Sequence, residues 1–183
     1  MSTEGQHGKR FAEWASQLRN DVEITWNLMQ DDAVLQPGRQ YLAGALNYLL
    51  TQLDLIPDHE RAGLVDDAFV IRVAFGLTAE YAGKVDTKGS AHIARLSNEE
   101  DDIKAFLGDA TFAKLRRYVI DLGQKSVRGR TAEQIVVDAK ARADMRRELD
   151  QAIKKLPVGN EITDSDAVGI ETDVHSYFKM KLG

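Results

Sequence analysis

The chain has 183 residues, a net charge of −5, 43% hydrophobic residues and no cysteine. That length suits one domain, residues 1–183, able to bury about 70% of its unfolded surface. The absence of thiols excludes disulfides, thiolate metal sites and cysteine nucleophiles, and it fits a reducing compartment.

Three prolines in all, long patterns of period 3.6 and no alternating run of valine, isoleucine and threonine predict an all-α fold. Phe11, Trp14, Ala15, Leu18, Val22, Thr25 and Met29 form one face of a first helix, from about residue 9 to 30. Asp31-Asp32 and Pro37-Gly38 separate it from a second, because proline has no N–H to give and clashes with a preceding turn. Tyr41, Leu42, Ala45, Leu46, Tyr48, Leu49 and Leu53 fill most of one side of that second helix. Pro57 stops it and biases Ile56 to an extended conformation. A third helix starts near Leu64 and runs to about Gly83. Between residues 68 and 77 its only charge is Arg72. A helix apolar on every side is surrounded by other helices, so this one belongs at the centre.

Residues 83–90 read as a loop. Ser97-Asn98-Glu99-Glu100 has the form of a capping box for a helix running to Leu107. After Gly108-Asp109, the stripe Phe112, Leu115, Val119 and Leu122 predicts a helix ending near Gly123. Thr131-Ala132-Glu133-Gln134 is a second capping box. It opens one long helix with Ile135, Ala139, Ala143, Leu149, Ile153 and Leu156 inward and the pairs Asp138–Arg142, Arg146–Asp150 and Asp150–Lys154 outward. Residues 157–160 form a turn, and Ile170, Val174, Tyr177 and Phe178 predict a short last helix that docks.

Four carboxylates, Asp54, Asp58, Asp66 and Asp67, stand where the second helix ends and the third begins. Two readings are open. In the first they are structural: Asp66 and Asp67 meet the free N–H groups and positive dipole end of the third helix, Asp54 and Asp58 brace the proline turn, and one of the four pairs with Arg72. In the second they bind a hard cation, Mg²⁺ or Ca²⁺, through their oxygens. Zinc fits less well, since His59 is the only nearby imidazole. The structural reading is preferred, and no cofactor is predicted from it.

The run Tyr41-Leu42-Ala43-Gly44-Ala45-Leu46-Asn47-Tyr48-Leu49-Leu50, then Asp54-Leu55-Ile56-Pro57-Asp58, Gly63 and Asp66-Asp67-Ala68 resembles the YkvA-like family of bacterial domains of unknown function. The resemblance implies a helical hairpin, residues 41–77, as the minimal unit, with the fold a multi-helix bundle around it. It implies no activity. Gln52 replaces a proline usual in the family, and Glu60-Arg61-Ala62 replaces a frequent Ile-Pro pair, so the loop here is more polar.

His7, His59, His92 and His175 are scattered without metal-ligand spacing, and no phosphate-binding glycine loop or nucleophile elbow is present. Residues 164–169 faintly follow a calcium loop, but Val168 and His175 stand where ligands are needed. Charge is uneven: residues 109–155 hold 12 basic and 7 acidic side chains. Arg116, Arg117, Lys125, Arg128 and Arg130 cluster there, with Tyr118 among them, and could meet an anionic membrane surface or, less readily, nucleic acid. The longest apolar stretch, Ala68 to Leu77, is far short of the roughly 20 residues of a membrane span, and residues 1–8 lack the apolar core of a secretion signal.

The expectation is therefore a soluble, cytoplasmic, non-enzymatic interaction or scaffold protein with a protein partner. The first alternative is a metal-dependent enzyme using the aspartate cluster. The second is a peripheral membrane or nucleic-acid binder using the basic hairpin.

Overall fold

A computed structural model describes residues 5–51, 54–156 and 163–183. Among them are nine α-helices and no strand: α1 (Gln6–Gln30), α2 (Gln36–Tyr48), α3 (Val65–Thr78), α4 (Thr87–Asn98), α5 (Glu100–Leu107), α6 (Asp109–Leu122), α7 (Ala132–Val137), α8 (Ala139–Lys155) and α9 (Asp164–Leu182). Leu53, Gln52 and the expected turn at 157–160 lie outside the described residues.

α3 is buried along its length, with Gly76 alone half-exposed. It packs against α1, α2, α4, α5 and α6. Each of its large apolar side chains, such as Phe69, Ile71 and Phe75, gains about 1.5–3 kcal/mol by leaving water. Gly76 leaves the space that the Glu100 carboxylate of α5 occupies: a Cβ there would lie 1.7 Å from Glu100 Oε2. Trp14 and Trp26 of α1 are both buried, and Phe11 stacks edge-on to Phe69 of α3 at 4.8 Å. α9 lies along α1. Gly8 permits this, since a Cβ would fall 1.9 Å from the Ala167 carbonyl oxygen. Glu171 of α9 accepts from the N–H groups of Gly5 and Gly8, which α1 itself leaves unpaired.

α9 runs 19 residues where a short last helix was expected, and the chain departs from its sequence-based expectation in four further places. Residues 87–90 are the first turn of α4 rather than loop, with Asp86 accepting from the Gly89 N–H. Ser97 and Asn98 do not cap α5. They are the last turn of α4, and the Ser97 hydroxyl bonds back to the Ala94 carbonyl. The Thr131 capping box does form, but its helix stops after six residues. Asp138 is extended, and its side chain caps a separate helix, α8. Arg142 then donates to the carbonyls of Ile135 and Val136 that end α7, so it does not pair with Asp138. Arg146 and Asp150 do pair, at 2.7 Å.

The fourth difference concerns Arg72. None of the four turn aspartates is its partner. Its guanidinium reaches Asp21 of α1 at 3.2 Å and Glu99 at 2.7 Å, donates to the Ala68 carbonyl, and lies over the Trp14 ring. Arg95 of α4 bonds the same two acids. A buried arginine is costly unless both charge and N–H groups are matched, and this four-residue network matches them.

Candidate functional site

The turn between α2 and α3 is built around Tyr48 and Asp66, both fully buried. The Tyr48 hydroxyl donates to Asp66 Oδ2 at 2.5 Å and accepts from the Leu55 N–H at 2.6 Å. The Ile56 N–H donates to the same Asp66 oxygen at 3.0 Å. Residues 57–65 then descend through successive tight turns, Pro57 to Glu60, Glu60 to Gly63 and Ala62 to Val65. Gly63 is where they press together: a Cβ would sit 2.6 Å from the Pro57 carbonyl oxygen.

Asp66 and Asp67 fall in the first turn of α3, yet neither makes a side-chain cap there. The expected side-chain caps are thus not made, although both carboxyls stand in the first turn of α3, at the positive end of its dipole, as expected. Asp66 turns back to hold the end of α2 and the Leu55-Ile56 backbone. Asp67 Oδ1 is buried with no hydrogen-bond partner, as is Asp66 Oδ1.

The four carboxyls come close enough to act on one another. Burial, then the neighbouring Asp58, pushes Asp54 up to about 6. Burial raises Asp58. It also raises Asp66 to about 7, against the pull of the Tyr48 and Ile56 hydrogen bonds. Asp67 is held well above its ordinary value, first by burial and then by Asp66, Asp54 and Asp58. Among the described residues, no three acidic or histidine side chains are disposed so as to hold a metal ion.

Asp67 and Asp58 open onto a cleft of about 610 Å³ between α1, the turn and α8. Leu49, Leu64, Leu149, Ile153 and Leu156 supply apolar wall. Arg128 and Glu148 pair with each other at its edge, 3.2 Å apart. No histidine lines it, and of its hydroxyl side chains Ser16 spends its proton on the Glu13 carbonyl.

Residues 41–72 match the family described as Protein of unknown function (DUF1232). This is the YkvA-like family of the sequence resemblance. No curated protein and no solved structure matches the chain. The DUF1232 segment spans most of α2, the turn and α3 as far as Arg72. It therefore holds every carboxyl of the cluster but only one wall of the cleft; α1 and α8 lie outside it.

The basic residues are divided among local acids. Arg116 pairs with Glu100 at 2.9 Å and Arg117 with Asp121 at 3.1 Å. Arg128 and the buried Arg130 converge on Glu148. Lys125 lies over the Tyr118 ring, 4.2 Å from its centre. Among the described residues, no helix is long and apolar enough to cross a membrane.

Sequence reasoning missed Tyr48, Asp21 and Glu148. Tyr48 counted only as one more apolar position, although a tyrosine inside a buried stripe needs a partner for its hydroxyl. Asp21 falls between Leu18 and Val22 on the apolar face of α1. An acid there and an arginine inside α3 are two misplaced charges of opposite sign, and that was the available signal.

Proposed function

We propose that this protein is a non-enzymatic interaction domain, a single domain built on the 41–77 hairpin and working in the cytoplasm, which acts by receiving a partner in the cleft beside the DUF1232 turn. One observation carries the reading. Asp67 carries a buried carboxyl oxygen without a partner and lines a cleft whose walls are about equally polar and apolar. Buried polar atoms are nearly always satisfied, and exceptions cluster where something else is to be bound. A catalytic role would call for a nucleophile with a base within hydrogen-bond reach, and the cleft supplies no histidine and a serine already committed. The metal-dependent enzyme has no such support, since the carboxyls do not assemble as a ligand set. In this reading the basic hairpin is structural, its arginines neutralised by Glu100, Asp121 and Glu148.

The test is a fluorescence titration with Nile red, an uncharged apolar reporter. The wild-type chain is expected to bind it, and Ala152→Trp, which fills the cleft from α8, to lose it. Unchanged binding by the variant would remove the cleft from consideration. In parallel, millimolar Mg²⁺ or Ca²⁺ is expected to leave the melting midpoint where EDTA leaves it. A rise that EDTA reverses would restore the metal-dependent reading.

A further inference from the structure

Resting on the reading that the cleft is a binding site, we propose that its occupant is a small organic cation, an ammonium group held between Asp67 and Asp58 on an apolar body lying along Leu64, Leu149 and Ile153. The volume, about 610 Å³, is that of sites for small molecules. The charge argument turns on which groups of the cleft are already satisfied. Arg128 is engaged by Glu148 and by the Leu50 carbonyl. Arg61 faces Asp173 at 4.0 Å, and Glu60 stands by His59; Lys155, exposed at the end of α8, completes the charged lining. Asp67 is different: it is 5% exposed, its Oδ1 has no partner, and its surroundings are the carboxyls of Asp66, Asp54 and Asp58. The need of that oxygen is a hydrogen-bond donor carrying positive charge.

An ammonium group meets it better than a metal ion does. Magnesium gives up its water reluctantly, which ill suits an oxygen buried beside apolar side chains, and calcium takes six to eight oxygens, more than two carboxyls supply. An ammonium carries three donors and is satisfied by two carboxylates and water. An anion brings no hydrogen-bond donor to the Asp67 oxygen. Burial and the neighbouring carboxyls hold Asp67 well above its ordinary value while no cation is near. An ammonium beside it favours the ionised carboxylate, and any proton the group carries then leaves to solvent.

The experiment is a titration of the full chain, observed through its backbone amide resonances, with hexylammonium, hexanol and hexanoate, which share one apolar body. Hexylammonium is expected to shift the amides of Leu64, Val65, Leu149 and Ile153 and to bind about tenfold tighter than hexanol. Asp67→Asn is expected to abolish that advantage while leaving hexanol binding unchanged. Asp58→Asn, at an exposed position, serves if the first variant fails to fold, and it is expected to reduce the advantage. Equal binding of hexylammonium and hexanol in the cleft would overturn the cation proposal and leave the cleft as a binding site. Tighter binding of hexanoate would overturn it in favour of an anion. No shift with any of the three would remove the binding reading along with it.

Discussion

The Tyr48 hydroxyl and the Asp66 carboxylate, 18 residues apart in sequence, are joined at 2.5 Å across the turn that links α2 to α3. Through that bond one oxygen of Asp66 serves both the end of one helix and the Ile56 N–H of the turn. Tyr48→Phe removes the hydroxyl, leaving the buried Leu55 N–H unpaired and Asp66 with one donor fewer. The expected loss is about 1–3 kcal/mol, measured by urea denaturation. A double-mutant cycle of Tyr48→Phe with Asp66→Asn should show strong coupling; strict additivity would mean the two residues do not act together.

Arg72→Met should be more damaging. It leaves both Asp21, which is fully buried, and Glu99 with Arg95 alone. Breaking one partner out of a buried charge network costs about 3–5 kcal/mol. Arg72→Lys should recover little, because an ammonium cannot reach Asp21, Glu99 and the Ala68 carbonyl in the planar arrangement seen here. Denaturant midpoints of the two variants check this, and a lysine variant matching wild type would contradict it.

Stability should fall as pH rises across the neutral range. Asp66 stands at about 7 in the fold and Glu100 at about 7, the latter because burial outweighs the attraction of Arg116. Both are raised above their ordinary values near 4. Between those limits the folded chain keeps protons that the unfolded chain has released, so each group stabilises at low pH and loses that contribution as pH climbs through its folded value. Glu148, lowered mainly by its hydrogen bond to Arg130, acts in the opposite sense only below its ordinary value, outside this window. The melting temperature at about pH 5 should therefore exceed that at about pH 8, and Glu100→Gln should flatten the slope. A melting temperature that rises over this interval would count against the burial assigned to both carboxyls.

Gly63→Ala should destabilise without touching any polar contact. Its Cβ would lie 2.6 Å from the Pro57 oxygen and 2.7 Å from the Asp58 Cα, both backbone atoms that cannot step aside alone. Overpacking of this kind costs about 1–3 kcal/mol. Gly108→Ala has open space around its Cβ but sits at φ 75, so it should suffer from backbone strain instead. Thermal melts of the pair separate crowding from conformation: Gly63→Ala alone should also perturb the Tyr48 and Leu55 amide resonances.

The helical class and the burial of α3 were legible because they follow from periodicity and from an apolar run with one charge in it. The turn was legible as a place, since Pro57 and Gly63 enforce it locally. What its aspartates do was not, because Asp66 is spent on groups 10 and 18 residues away rather than on the nearest N–H groups. α4 went unseen in its first turn because few of its residues are buried, chiefly Gly89, Ile93 and Leu96, too narrow a stripe to stand out. The break at Asp138 was hidden for another reason: the apolar pattern runs across it, and only the side chain's preference for the Lys140 and Ala141 N–H groups divides α7 from α8. The cleft was invisible, since α1, the turn and α8 meet only in the folded chain.

The grip of Glu171 on Gly5 and Gly8 reaches beyond packing. In a chain made from its amino end, the opening turn of α1 is synthesised early while the carboxylate that completes it comes more than 160 positions later. Until then α1 has a frayed start and an uncovered side where α9 will lie. The closing of this bundle thus waits on α9, and the start of α1 is secured only after the helices between them have been made.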